Sequence, residues 1–152
     1  MIIPTRPALF LASLFLTQAP VVAKAAGEEM WLTEFGLIQW EESDGSTAIF
    51  NLIGPEVAGP ATLRLFIEGL AENTYKGRSV YLGYWTAEDG DVGCTVELTD
   101  GMGTTTAHWG RLQVLFVTES PPSAWVALMG ECWQEPDFHL TAQPLLVPPD
   151  MP

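Results

Sequence analysis

From Trp31 onward, the chain is built of short stretches in which apolar and polar residues alternate. In one of them, Leu63, Leu65 and Ile67 share a face and are interleaved with Arg64 and Phe66. A period of two is typical of a half-buried β-strand, and no segment of this region has a convincing helical period. The pattern therefore predicts an all-β, antiparallel domain.

Glycine, proline and aspartate separate about seven such stretches. The predicted strands are Trp31–Glu41, Thr47–Ile53, Ala61–Leu70, Arg78–Thr86, Cys94–Thr99, His108–Thr118 and Ala124–Cys132. The pair Asp44 and Gly45 is a strong hairpin signal between the first two. Short strands at regular spacing predict a single β-sandwich or a small barrel.

Proline dominates the end of the chain. Residues 138–152 include Pro144, Pro148, Pro149 and Pro152. Proline cannot donate a backbone hydrogen bond to a neighbouring strand. We therefore predict an extended, Pro-rich tail that does not continue the sheet.

The N-terminus has the organisation of an export signal. Arg6 precedes the apolar run Ala8–Leu16, and the small residues Ala23 and Ala25 follow. This order is typical of a cleaved signal peptide, and the run is too short for a membrane helix. We expect no stable membrane insertion after cleavage. The predicted organisation is a signal peptide at 1–25, a β domain at 26–137 and the tail at 138–152.

The chain is strongly acidic, with 19 Asp and Glu residues against 6 Lys and Arg and a net charge of −13. A polyanion repels phosphate backbones, so nucleic acid is excluded as a partner. Cationic partners, divalent ions and neutral ligands remain compatible. The compact signal and the absence of an Asn-x-Ser/Thr acceptor favour a periplasmic protein over a product of the eukaryotic secretory route. The predicted localisation is exported, periplasmic or secreted.

Two cysteines, Cys94 and Cys132, are present. In an exported chain such a pair predicts a disulfide bond, because the compartments reached by export are oxidising. Side chains alternate between the two faces of a strand, and this strand parity places Cys94 on the face of Val96 and Cys132 on the face of Leu128. Both sulfurs are therefore predicted to point into the apolar interior.

The stretch Thr86–Gly103 is rich in carboxylates. Its candidate ion ligands are Glu88, Asp89, Asp91 and Asp100. Their spacing matches no calcium loop, whereas Asp89–Gly90 and Asp100–Gly101 are dipeptides of tight hairpin turns. We predict two turns, with no metal and no cofactor, and keep the four carboxylates as an alternative ion site.

No nucleophile or phosphate-binding motif is recognisable. His108 and His139 lack a second histidine at helical spacing and a free thiolate, as a catalytic or zinc site would need. The sequence favours a non-catalytic protein. The alternatives are a small secreted hydrolase that uses carboxylates assembled by the fold, and a structural or assembly component of the cell envelope.

Strand parity also predicts an outer face rich in aromatic and polar side chains. Its members are Tyr81, Trp85, Trp109, Arg111, Gln113 and Trp125. Aromatic faces with a few polar groups bind sugars or extended peptides. Alternatively, the first hairpin covers these residues as a second core layer. The predicted function is an exported, non-catalytic β domain that binds an unidentified ligand or protein partner.

Overall fold

A computed structural model describes residues 29–53, 62–73, 80–90, 93–119 and 122–145 of the 152-residue chain. The predicted signal peptide at 1–25 lies outside these ranges. The strands are β1 Met30–Thr33, β2 Gly36–Asp44, β3 Thr47–Ile53, β4 Leu63–Ile67, β5 Val80–Ala87, β6 Leu98–Thr99, β7 Thr105–Thr106, β8 His108–Phe116, β9 Trp125–Glu131 and β10 Phe138–Pro144. One helical turn, α1, spans Leu70–Asn73. Among the described residues, no helix has the length and apolar character needed to cross a membrane.

Eight of the strands form a closed antiparallel barrel. They follow one another around it in the order β1, β2, β3, β4, β5, β8, β9 and β10, and β10 pairs with β1 to close it. Strands β6 and β7 pair only with each other. They lie in the segment 93–107 between β5 and β8, which we term the excursion. The all-β prediction is confirmed, and the structure is the barrel of the two predicted architectures.

The predicted first strand, Trp31–Glu41, is two strands. A turn at Glu34 and Phe35 separates β1 from β2, and Thr33 stabilises it: its hydroxyl accepts a hydrogen bond from the Phe35 N–H and donates one to the Gly36 carbonyl. Gly36 has a φ of 129°, which a residue with a side chain rarely adopts. Alternation alone does not reveal a turn that lies between two apolar stretches.

The prediction that residues 138–152 stay outside the sheet is wrong for Phe138–Pro144. This segment is β10, which pairs with both β9 and β1. Its inward residues Leu140 and Ala142 are fully buried. Pro144 is tolerated because it is the last residue of the strand. Residues 146–152 of the predicted tail lie outside the described residues.

Aromatic side chains fill one end of the barrel. Trp31 stacks on Phe50 with ring centroids 4.9 Å apart and meets Trp125 edge-on at 6.1 Å. The Trp31 indole N–H donates to the Ser123 carbonyl at 2.8 Å, and Leu70 of α1 is buried in the same core. An eight-stranded barrel has an interior just wide enough for side chains. This end is therefore closed by its own core.

The predicted disulfide is confirmed, but its predicted position is wrong. Cys94 and Cys132 are joined, with an S–S distance of 2.04 Å, and both residues are half-buried. Val96 and Leu128, which were predicted to point inward with them, are exposed, and neither cysteine belongs to the buried core cluster, so the bond lies outside the barrel core. Cys94 precedes β6 and is not in a strand, which is why parity could not place it. The bond ties the excursion to the end of β9.

Candidate binding cleft at the open mouth of the barrel

The barrel end opposite the aromatic cluster contains a cleft of about 340 Å³. It is lined by Phe35, Leu63, Trp85, Met129, Gly130, Glu131, Gln134, Asp137 and Phe138. These residues come from the β1–β2 turn, from β4, β5, β9 and β10, and from the loop between β9 and β10. Mouths of β-barrels are a common position for ligand sites.

The inner part of the cleft is apolar. Leu63 and Met129 are buried at the ends of β4 and β9. On the rim, the Phe35 and Phe138 rings stack at 5.6 Å with an angle of 21° between their planes. These two rings come from opposite ends of the described chain. Closure of the barrel by β10 is therefore what brings them together.

Trp85 forms one wall. It is on the inner side of β5 and packs against the core, and its indole N–H donates to the Gly130 carbonyl at 3.1 Å. Gly110 of β8 makes this arrangement possible. A Cβ atom at Gly110 would overlap the Gly130 carbonyl and come within 2.6 Å of the Trp85 indole nitrogen. Two strands and the indole can meet here only because that side chain is absent.

The polar rim is formed by a short loop, residues 132–137, which we term the rim loop. Its backbone is bonded at both ends: the Cys132 N–H donates to the Trp109 carbonyl at 2.8 Å, and the Asp137 N–H donates to the Met129 carbonyl at 3.2 Å. The Gln134 N–H of the loop also donates to the carbonyl of Glu131, the last residue of β9, at 2.8 Å. The disulfide at Cys132 adds a covalent anchor.

Arg111 fastens the rim loop from outside the barrel. Its guanidinium donates to the carbonyls of Trp133, at 2.7 Å, and Gln134. It also lies 3.8 Å from the carboxylate of the highly exposed Glu135. Arg111 therefore supports the rim, and its charge is directed to the backbone of the loop.

Trp133 projects from the rim loop. Its side chain is 71% exposed, although the ring meets Trp109 edge-on at a centroid distance of 4.9 Å. Trp109 itself is buried beneath the excursion, and its indole N–H donates to the Val96 carbonyl at 2.8 Å. A large ring thus faces solvent from a fixed position.

The predicted aromatic platform does not form. Tyr81 and Trp125 are 0% and 1% exposed and point into the barrel, so their outward assignment is wrong. Trp85 also points inward, at the mouth. Strands β5 and β9 carry large apolar residues on both faces. The side-chain alternation therefore did not show which face is inward, and the inward face was predicted wrongly for each strand.

The outward assignment on β8 is correct. Val114 and Phe116 are buried in the core, whereas Arg111 and Gln113 lie outside it and Trp109 is covered by the excursion. Of the six predicted binding residues, only Trp85 lines the cleft. Trp109 and Arg111 support the rim loop, and Gln113 belongs to a different surface.

Asp100 forms the turn predicted for it. One carboxylate oxygen accepts hydrogen bonds from the N–H groups of Met102 and Thr104, both at 2.9 Å, and the turn joins β6 to β7. Glu88 and Asp89 are exposed, and Asp91 lies outside the described residues. In the described part of the chain, no three His, Cys, Asp or Glu side chains are arranged to hold a metal ion.

This turn also packs against Tyr84. The Gly101 N–H donates to the phenol oxygen at 3.1 Å, and Phe66 stacks on the ring at 4.6 Å. Burial raises the pKa of Tyr84, and the negative charges of Asp100, Glu68 and Asp44 add to the rise, whereas the hydrogen bond from Gly101 opposes it. The phenol is therefore a neutral structural contact between the barrel and the excursion.

Sequence reasoning missed most of the cleft. Leu63 reads as an ordinary inward position of a predicted strand, whereas the alternation along the last predicted strand places Met129 on its outer face. Phe35 and Phe138 were assigned to a strand and to the tail. One signal was available: Glu131 to Asp137, "ECWQEPD", combines a cysteine, a tryptophan and three carboxylates in seven residues. Such a segment is unusual for a simple strand connection.

Searches against models of protein families, curated proteins and solved structures find no match to this chain. The chemistry of the cleft and rim loop is therefore the basis for assigning a function.

Proposed function

We propose that the protein is a non-catalytic binding domain whose cleft and rim loop take a basic segment of a partner polypeptide. The observation that carries this proposal is an exposed tryptophan, Trp133, on a loop that is fastened by a disulfide and by Arg111. Tryptophan is among the residues that most often dominate protein interfaces. A loop that is already held in place loses little freedom on binding.

The acidic residues around the cleft favour a positively charged partner. Glu131, Glu135 and Asp137 are exposed around the cleft, and the whole chain carries a net charge of −13. A negative surface of this kind attracts cations and speeds their association. A partner arginine can also lie over the Trp133 ring, where a cation is attracted to the aromatic face.

The shape of the cleft fits one long side chain. Its 340 Å³ volume is near the lower end of the range for small-molecule sites. A lysine or arginine would place its aliphatic stem against Leu63 and Met129 and its charged group at the rim, close to Glu131 or Asp137. The apolar floor and acidic rim match the two halves of such a side chain.

Binding fits the cleft better than hydrolysis does. Glu131 and Asp137 are both exposed. A carboxyl group that acts as a general acid near neutral pH usually needs an apolar, desolvated environment.

The disulfide supports a role outside the cytoplasm, since such bonds persist in oxidising compartments.

The proposal is tested by calorimetric titration with a blocked Leu-Arg-Leu peptide, using blocked Leu-citrulline-Leu as the neutral control. We expect the arginine peptide to bind, with affinity falling as salt is raised. Asp137→Asn should weaken binding at least about fivefold, because it removes a charged hydrogen-bond acceptor. Glu119→Gln removes one charge from an exposed site outside the cleft and should leave the affinity almost unchanged.

Trp133→Ala provides the second readout, since it removes the exposed ring without touching a charge. It should weaken the arginine peptide by a similar factor. Equal affinity for the arginine and citrulline peptides, or equal effects of the Asp137 and Glu119 substitutions, would show that the cleft does not select a cation.

A further inference from the structure

Three aromatic side chains line the cleft, and they come from distant parts of the chain. Phe35 lies in the β1–β2 turn, Trp85 on β5 and Phe138 at the start of β10. Phe35 and Trp85 are half-buried, and Phe138 is 41% exposed. The face of an aromatic ring carries partial negative charge and attracts cations. The rings therefore add a second attraction for positive charge to that of the acidic rim.

The backbone oxygens of the cleft are largely hydrogen-bonded within the protein. Four lining residues have a carbonyl that already accepts an internal hydrogen bond: Met129, Gly130, Glu131 and Gln134. Their donors are, in the same order, the Asp137 N–H, the Trp85 indole N–H, the Gln134 N–H and the Arg111 guanidinium. The charged acceptors of the lining are the carboxylates of Glu131 and Asp137, and both residues are exposed. The inner wall thus attracts positive charge but offers few acceptors to N–H groups.

This combination separates two kinds of cation. A lysine ammonium has three N–H donors, and each donor that leaves water needs an acceptor. It therefore binds at the rim, close to the carboxylates. A trimethylammonium group has the same charge and no N–H donor. It can enter the cleft without leaving a donor unpaired, and its methyl groups can contact the aromatic rings and the side chains of Leu63 and Met129.

We infer that the cleft prefers a cation of the trimethylammonium class, an inference that rests on the proposed binding of a cation at this site. Aromatic cages are the usual protein sites for such quaternary ammonium groups. Two sources carry the group: a trimethylated lysine in the partner segment, and a free compound such as choline. Both present the same charged end to the rings, with the rim carboxylates close by to balance the charge.

Calorimetric titration with choline tests the free source. The control ligand is its neutral analogue dimethylbutanol, in which carbon replaces the nitrogen and the shape is kept. Choline should bind at least about fivefold more tightly, because a cation at a partly desolvated aromatic site gains that much over a neutral group. Salt should weaken choline binding and leave that of dimethylbutanol almost unchanged.

Two blocked Leu-Lys-Leu peptides, one with lysine and one with trimethyl-lysine, test the peptide source. Methylation leaves the charge the same, so the attraction of the acidic rim is matched in the two peptides. The trimethylated peptide should bind at least about fivefold more tightly, since it makes the aromatic contacts without losing hydrogen bonds to water.

Phe138→Leu separates the effect of the ring from that of apolar volume. It should bring the affinities of the two lysine peptides within about twofold of each other, because the aliphatic side chain has no aromatic face. Phe138→Tyr is the matched variant, since it keeps an aromatic ring at the same position. It should retain most of the preference for the trimethylated peptide.

Equal binding of the two lysine peptides, together with choline that binds no better than dimethylbutanol, would overturn the inference. So would a preference that Phe138→Leu leaves intact. Salt-dependent binding of the arginine peptide alongside either result would leave the proposed function standing. Choline binding without binding of any peptide would support the trimethylammonium site and contradict a polypeptide partner.

Discussion

At the scale of single residues, Gly110 determines how closely three parts of the mouth approach one another. The β8 backbone, the Gly130 carbonyl and the Trp85 indole converge at the position where any other residue would place a Cβ atom. Backbone and ring must both move if that atom is added. The geometry of the cleft therefore depends on a residue that makes no contact through a side chain.

Gly110→Ala should lower the free energy of unfolding by about 1–3 kcal/mol, the usual range for forcing extra volume into a packed site. Urea denaturation followed by tryptophan fluorescence measures the change. Gly93→Ala is the comparator, since its Cβ would come no nearer than 3.3 Å to Ala107. A Gly110 variant as stable as the Gly93 variant would show that this approach is not tight.

The raised pKa of Tyr84 makes the stability of the folded protein depend on pH in the alkaline range. Its folded pKa is raised above 10.0, so the folded state holds the phenol proton more tightly than the unfolded chain does. The corresponding stability is fully present below pH 10 and is lost as the pH rises through the folded pKa.

We expect Tyr84→Phe to reduce the slope of stability against pH above about pH 10, and to lower stability at neutral pH by about 1 kcal/mol through loss of the hydrogen bond from Gly101. Paired denaturation curves at neutral and alkaline pH measure both effects. Identical slopes in the two proteins would mean that the pKa of Tyr84 is not raised.

At the scale of elements, the predicted inward and outward faces of a strand are correct where the two faces differ clearly in polarity, and wrong where both faces are apolar. On β8, Val114 and Phe116 alternate with Arg111 and Gln113, and the predicted faces are correct. On β5, Val80 and Leu82 are as apolar as Tyr81 and Trp85, and the prediction is reversed. The ambiguity has a structural origin, because the outward residues of β5, Val80 and Leu82, are exposed aliphatic side chains.

The disulfide joins two elements outside the core, and its loss should affect the elements unequally. Cys94 and Cys132 are separated by 38 positions, and a loop of this size stabilises by about 4 kcal/mol in the chain-entropy model. Reduction should lower the melting temperature. It should also speed amide hydrogen exchange at Cys132 and Gln134 more than at Phe50 of β3. Uniform acceleration across the barrel would contradict a local anchoring role.

Strand β10 is an integral element although the sequence predicted a tail. Leu140→Ala should cost about 2–5 kcal/mol, the usual range for emptying a buried leucine site. Thr141→Ala, at the adjacent exposed position, should cost much less. Comparable small losses at both positions, measured by thermal denaturation, would mean that β10 contributes little to the core.

At the scale of the whole molecule, alternation and turn residues were enough to predict an antiparallel β domain, and the pair of cysteines in an exported chain was enough to predict the disulfide. They could not predict closure, because closure depends on the pairing of β1 with β10 across the length of the chain. The cleft depends on closure in turn, since Phe35 and Phe138 meet only in the finished barrel. Site prediction therefore failed where long-range pairing decides the geometry.

The seam between β1 and β10 also sets the order in which the molecule can be completed. Until Phe138–Pro144 is synthesised, β1 and β9 each present an unpaired edge, and such edges recruit other chains. Both cysteines precede this segment, so the covalent link can form while the sheet is still open. The growing polypeptide is thus exposed to edge-to-edge aggregation until Phe138–Pro144 emerges, and this closing strand removes both edges at once.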